Sequence, residues 1–162
     1  RNRLVKMASH KICINMDSDD IYLPSYVRYS VSALKEHRVG ITSSSSMVFI
    51  YPDKEYLLTG IRCGFKRQAH EGCSCFTKKH FKSMGGYICR GTEASMGEGS
   101  KMIDYNEKNM VNLDITRLMI CVAHSGDDGN TVCKDRFSEA TFDATLNELP
   151  HIEVLKAIFN RN

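Results

Sequence analysis

The chain has 162 residues, 42% of them apolar and 25% charged, which suits one domain with a hydrophobic core and argues against a disordered segment. Lys and Arg number 22 against 19 Asp and Glu, a net charge of +3 with no long basic run, so a nucleic-acid-binding surface has little support. No apolar run approaches the roughly 20 residues that span a bilayer, and Arg1–Lys6 leads into polar sequence rather than a signal peptide. Seven cysteines, an odd count in a chain that can build its core without staples, favour reduced thiols and an expected cytoplasmic location.

Ile12, Ile14 and Met16 alternate with Lys11, Cys13 and Asn15, the period of a strand over 11–16. The strand runs into Asp17-Ser18-Asp19-Asp20. A helix is expected from about Pro24, whose missing N–H costs nothing in a first turn, with Val27, Val31 and Leu34 as its apolar stripe and Gly40 as its close. Strands are expected at Gly40–Ser43, Met47–Tyr51 and Tyr56–Thr59, the last two joined by a turn at Pro52-Asp53. Ser43–Ser46 is low in complexity but too short to divide domains. Cys73–Phe76 reads as a short strand, and Thr77–Ser83 as a helical turn ended by Gly85-Gly86. Glu93–Tyr105 is expected to be helical although Gly97 and Gly99 each cost it about 1 kcal/mol relative to Ala. Leu118–Ala123 is continuously apolar, as a strand buried on both faces should be, and Ile152–Phe159 is a short amphipathic helix. Alternating strands and helices imply a single α/β domain over 1–162 with a mainly parallel or mixed sheet.

The acidic cluster after the first strand is the main chemical signal. Two unit charges about 4 Å apart repel by roughly 4 kcal/mol at an effective dielectric of 20. Such groups are either exposed to water, as in a solvated turn, or share a divalent cation. Their place beyond a strand's carboxyl end is where open α/β sheets bind ligands. Carboxylate oxygens are the hard donors that Mg²⁺ or Mn²⁺ prefers.

The segment Met16-Asp17-Ser18-Asp19-Asp20-Ile21-Tyr22-Leu23-Pro24-Ser25-Tyr26-Val27 resembles the DxD region of GT-A fold glycosyltransferases, especially family 2-like enzymes. Arg1-Asn2 and Ala8 resemble the stretch that precedes it. Cys75–Phe81 resembles the return toward the acceptor side, Gly97–Ile103 the acidic acceptor-site motif, and His124 with Asn130-Thr131 a late element of viral and related members. These pieces keep the family's order up to about residue 135. The resemblance implies a GT-A-like mixed sheet flanked by helices, of which this chain is the C-terminal portion, with the N-terminal nucleotide-binding part outside the sequence.

The implied reaction moves a sugar from a nucleoside-diphosphate sugar, by resemblance a UDP-sugar, to an acceptor hydroxyl on a glycan, protein or lipid. Asp17 and Asp19 match the DxD pair and are expected to hold the Mn²⁺ or Mg²⁺ and the donor. His124 is a further candidate metal ligand, although a histidine at a strand end also serves as a hydrogen-bonded structural residue. Glu98 is the candidate general base, with Glu93 a weaker one. The family's usual Glu-Asp is here Glu98-Gly99. Asp20 is a helper of the DxD pair or a cap of the next helix, with capping the expected role.

Three other readings use the same residues. Asp17 and Asp19 also resemble the nucleophile and acid/base of haloacid dehalogenase-type phosphatases, with Ser125–Asn130 as the late metal loop, although Ile21 departs from that pattern. His70, Cys73, Cys75 and His80 could ligate zinc, but Cys-x-Cys is tighter than structural sites prefer, and buried free thiols with surface histidines are the plainer explanation. A GT-A-like module that binds without turnover is the third.

Overall fold

The computed structural model describes residues 1–52, 57–62, 69–88, 98–103, 109–123, 142–144 and 157. The chain is mixed α/β. Helix α1 (Asn2–Met7) leads to β1 (Ile12–Ile14) and β2 (Ile21–Tyr22); α2 (Tyr26–Glu36) follows, then β3 (Ile41–Ser43), β4 (Ser46–Tyr51) and β5 (Leu57–Arg62). A 3₁₀ turn at Glu71–Cys73 precedes β6 (Cys75–Thr77) and α3 (Lys78–Ser83). Beyond these lie α4 (Ser100–Ile103), β7 (Met110–Asn112), β8 (Met119–Val122) and β9 (Phe142–Ala144).

The strands form two mixed sheets, ordered β1-β6-β3-β7 and β2-β8-β4-β5-β9. Only β3–β7 and β4–β8 pair in parallel among the described strands, so the mixed alternative holds and a mainly parallel sheet does not. The β4–β5 hairpin supplies the longest antiparallel register, from Ser46 opposite Arg62 to Tyr51 opposite Leu57. β8 matches its continuous apolar pattern because it lies between β2 and β4, where neither face meets water.

The serine run carries the chain from one sheet to the other, and Ser43, Ser44 and Ser45 are buried there. Burial is tolerated because their polar groups are partnered. Ser45 N–H donates to Asn112 Oδ1 at 2.8 Å, Asn112 Nδ2 donates to Ser45 Oγ at 2.9 Å, and Ser43 Oγ donates to the His70 carbonyl at 2.7 Å.

Two apolar clusters hold the layers. One packs Tyr26, Ala33, Val48, Phe49 and Leu118–Ile120 around β4 and β8; the other packs Val5, Ile41, Phe76, Phe81 and Met102 around β6. Thr77 Oγ1 accepts the His80 N–H and caps α3, and the positive φ of Gly85 and Gly86 ends it, as the sequence suggests.

Several local expectations are corrected. β1 stops at Ile14, and Met16 is 54% exposed, because the backbone leaves the sheet after Asn15, whose N–H still donates to the Ser74 carbonyl at 2.9 Å. Helix α2 starts at Tyr26 and buries Tyr26, Ser30, Ala33 and Leu34, leaving Val27 46% exposed. The face is turned by one position because the Tyr26 hydroxyl donates to the Asn15 carbonyl at 2.7 Å while its ring lies against Tyr22. Arg38, with φ 53°, takes the left-handed conformation after α2. Gly40 instead permits a close approach, since a Cβ there would meet His80 Nδ1 at 2.5 Å.

Cys73 belongs to the 3₁₀ turn rather than to β6. In the second half of the expected 93–105 helix, α4 covers Ser100–Ile103; 93–97 and 104–105 lie outside the described residues, as does most of 152–159. No helix among the described residues is long and apolar enough to cross a membrane.

Candidate active site

β1 and β2 occupy the ends of different sheets, so the acidic segment 15–20 crosses between them. Asp17 sits just past β1, half-buried, and its carboxylate meets Arg1 from the start of the chain. Arg1 Nη2 donates to Asp17 Oδ1 at 2.7 Å, and Arg1 Nε donates to Glu98 Oε1 at 2.8 Å. Glu71 Oε2 lies 3.8 Å from Arg1 Nη1. One guanidinium therefore gathers three carboxylates from three distant segments, one positive charge among three negative ones. The four side chains keep between 23% and 33% of their surface in water, where such pairs contribute only about 0–1 kcal/mol each. Stability alone does not explain the gathering.

Arg1 is itself positioned. Its guanidinium carbon lies 5.8 Å from the centroid of the Tyr87 ring. The Asn2 amide clasps the Tyr87 backbone, donating to its carbonyl at 2.8 Å and accepting its N–H at 2.9 Å.

The turn that carries Glu71 is tied from several elements. Asn15 Nδ2 donates to the Glu71 carbonyl at 2.8 Å, the Tyr22 hydroxyl donates to the Gly72 carbonyl at 2.9 Å, and His70 N–H donates to the Ser44 carbonyl at 2.8 Å. Tyr22 also accepts the Asp17 N–H at 2.7 Å, so the same phenol orients both acidic segments. Burial pushes the Tyr22 phenol well above its ordinary value and Tyr87 to about 12, so both stay neutral hydrogen-bonding groups.

Two glycines make the convergence possible. A Cβ on Gly72 would stand 3.0 Å from Asp17 Oδ2 and 2.8 Å from His70 Cε1. A Cβ on Gly99 would stand 2.8 Å from the Glu71 carboxyl carbon. Each Glu-Gly pair, Glu71-Gly72 and Glu98-Gly99, thus supplies one acid and the space for a neighbouring one. Burial raises the proton affinity of Glu71; the Gly99 N–H and Arg1 lower it, and Glu98 and Asp17 raise it again.

A cavity of about 410 Å³ opens beside this cluster. Val5, Ile12, Ile14 and Phe76 form its apolar wall, with Arg1 and Asp17 among its polar groups. Its size falls in the ordinary range for small-ligand pockets.

The other sequence-selected residues are placed differently. Asp19 is exposed on the turn after Asp17. Asp20 does not cap α2, whose N-cap position is Ser25; its Oδ1 accepts the Val122 N–H at 3.2 Å and ties the acidic segment to β8. His124, Glu93 and 125–130 lie outside the described residues.

The possible zinc ligands do not converge on a cation: no group of three or more His, Cys, Asp or Glu is arranged to hold one among the described residues. His80 is buried rather than on the surface, because its Nε2 finds a partner inside in the Met102 carbonyl at 3.1 Å; burial keeps the Cys73 and Cys75 thiols protonated, raised to about 11 and 12. Cys13, Cys73 and Cys75 are free thiols, and Cys121 Sγ lies 3.5 Å from His70 Nε2.

No protein-family model, curated protein or solved structure matches this chain. Sequence reasoning selected Asp17 and Glu98 but missed Glu71 and the bridging role of Arg1. The available signal was the repeated Glu-Gly pair, one copy ahead of β6 and one ahead of α4.

Proposed function

We propose that this chain carries the donor-phosphate and acceptor side of a GT-A-like glycosyltransferase site, moving a sugar from a nucleoside-diphosphate sugar to an acceptor hydroxyl. The observation that supports it is the meeting of Asp17 and Glu98 on Arg1, at 2.7 and 2.8 Å. Residues selected separately, one for the donor and one for the acceptor, lie at one place beside a ligand-sized cavity.

The donor set fits Mn²⁺ or Mg²⁺ in a restricted way. Such ions are held by one or two carboxylates together with substrate phosphates, so a complete protein cage is not required. Asp17, through the oxygen not bound to Arg1, and the exposed Asp19 would hold it, with His124 a candidate partner. When bound there, the ion supplies Lewis-acid neutralisation of a diphosphate leaving group. The residues of the chain do the rest. Arg1 offers its guanidinium to phosphate oxygens, the wall of the cavity excludes water from the donor, and the glutamates face the incoming hydroxyl.

UDP release from a panel of UDP-sugars with Mn²⁺ tests this reading. Release that falls by two orders of magnitude or more in Asp17→Asn and Asp19→Ala is expected. No release from the wild-type chain, or release indifferent to both changes, would contradict it. Beryllium fluoride is expected to form no adduct on Asp17, in contrast to a phosphatase nucleophile.

A further inference from the structure

We propose that Glu71, rather than Glu98, is the proton acceptor of this site. The inference rests on the transferase reading and deepens it by naming the group that activates the acceptor hydroxyl.

The two glutamates are held very differently. Glu98 Oε1 receives a short charge-assisted hydrogen bond from Arg1 Nε at 2.8 Å, which occupies that carboxylate oxygen. Glu71 stands 3.8 Å from the nearest Arg1 nitrogen, beyond hydrogen-bond reach. Its hydrogen bond comes instead from the neutral Gly99 N–H.

A base must also be fixed in place. The backbone around Glu71 is fastened by Asn15, Ser43 and Tyr22, from three different parts of the fold. The side chain rests on Gly99, where a Cβ would come within 2.8 to 3.1 Å of its Cδ, Oε2 and Cγ. Such fastening preserves geometry during proton transfer. Among the described residues the charged groups around Glu71 are Arg1, Asp17 and Glu98, and with burial their balance favours the protonated form more than in water. A base poised nearer neutral pH is the more effective one.

In the step, the acceptor oxygen forms its bond to the sugar's anomeric carbon. The bond from that carbon to the diphosphate oxygen breaks, and its electron pair leaves with the nucleoside diphosphate. The hydroxyl proton passes to a Glu71 carboxylate oxygen. In the absence of another acceptor, water takes the place of the hydroxyl.

The test compares Glu71→Gln, Glu98→Gln and Gly99→Ala with the wild-type chain. The readouts are UDP release from UDP-sugars with Mn²⁺ and calorimetric affinity for UDP with Mn²⁺. Glu71→Gln is expected to lower kcat by about 10²–10⁴-fold, to leave UDP affinity within threefold, and to abolish the acid limb of the pH profile. Glu98→Gln is expected to lose less and to retain that limb.

Gly99→Ala displaces the Glu71 carboxylate without changing its chemistry. It is expected to lower kcat at least tenfold with UDP affinity kept, and it decides the matter should Glu71→Gln fail to fold. Unchanged kcat in Glu71→Gln, or in a folded Gly99→Ala, overturns the role of Glu71 while leaving the transferase reading intact. A wild-type chain that neither binds UDP with Mn²⁺ nor releases it overturns that reading, and this inference with it.

Discussion

The cluster around β4 and β8 and the polar seam between β1 and β2 are built on opposite principles. In the first, Val48, Phe49, Ile50 and Leu118–Ile120 are almost wholly removed from water, and among the described residues no carboxylate, lysine, arginine or histidine belongs to the cluster. In the second, Arg1, Asp17, Glu71 and Glu98 remain partly wet, with one positive charge among three negative ones. Burial of apolar surface at about 25 cal/mol per Å² makes the first region the source of stability. The second contributes little to folding and is nevertheless the more heavily cross-tied. On the proposed reading, that contrast separates a region kept for the fold from one kept for chemistry.

Disrupting the apolar side gives the largest stability effect. Phe49→Ala, at a position 1% exposed, is expected to cost about 3–5 kcal/mol, measured by urea denaturation. A cost below about 1 kcal/mol would show that this cluster is not the main support.

Tyr26 joins the two regions, because its ring is buried in the core while its hydroxyl holds the Asn15 carbonyl. Tyr26→Phe is therefore expected to cost about 1–2 kcal/mol and to weaken Mn²⁺-dependent UDP binding. A stability loss with unchanged binding would break the link between core and seam.

A pH titration of stability sharpens the same division. Burial lowers the proton affinity of His80, opposed by its bond to Met102, so the folded state holds the ring neutral. Below the ordinary histidine value of 6.5 the unfolded chain binds more protons than the folded one. The His80 contribution is therefore complete above that value and is lost as pH falls through it toward the lower folded value. Denaturation midpoints from pH 7.5 to 4.5 are expected to show this slope, and His80→Gln to flatten it.

Arg1→Ala is expected to have the smallest stability effect, under about 1 kcal/mol, because its ion pairs are partly exposed. A larger loss would make the seam a structural support after all.

What could be read from the sequence follows the range of the interactions. β8 was legible because six consecutive apolar residues, Leu118–Ala123, permit little but burial, and the end of α3 because Gly85 and Gly86 accept positive φ. Asp17 was legible from its place beyond a strand, and Glu98 from its glycine context and resemblance. The face of α2 was misread by one position because a distant carbonyl, that of Asn15, sets the rotation of Tyr26. Asp20 was misread for a similar reason, since its partner Val122 lies in β8. Glu71 escaped because its one local mark, a Glu-Gly pair repeating Glu98-Gly99, does not by itself point to a site. Its meaning comes from Arg1, Asn15 and Gly99, which only the fold brings near.

The most direct measurement is a calorimetric titration of UDP into the chain, with and without Mn²⁺, repeated on Asp17→Asn. Binding that requires Mn²⁺ and weakens at least tenfold in Asp17→Asn is the expected result. UDP binding that ignores the ion, is absent altogether, or persists undiminished in Asp17→Asn would contradict a donor site built on Asp17.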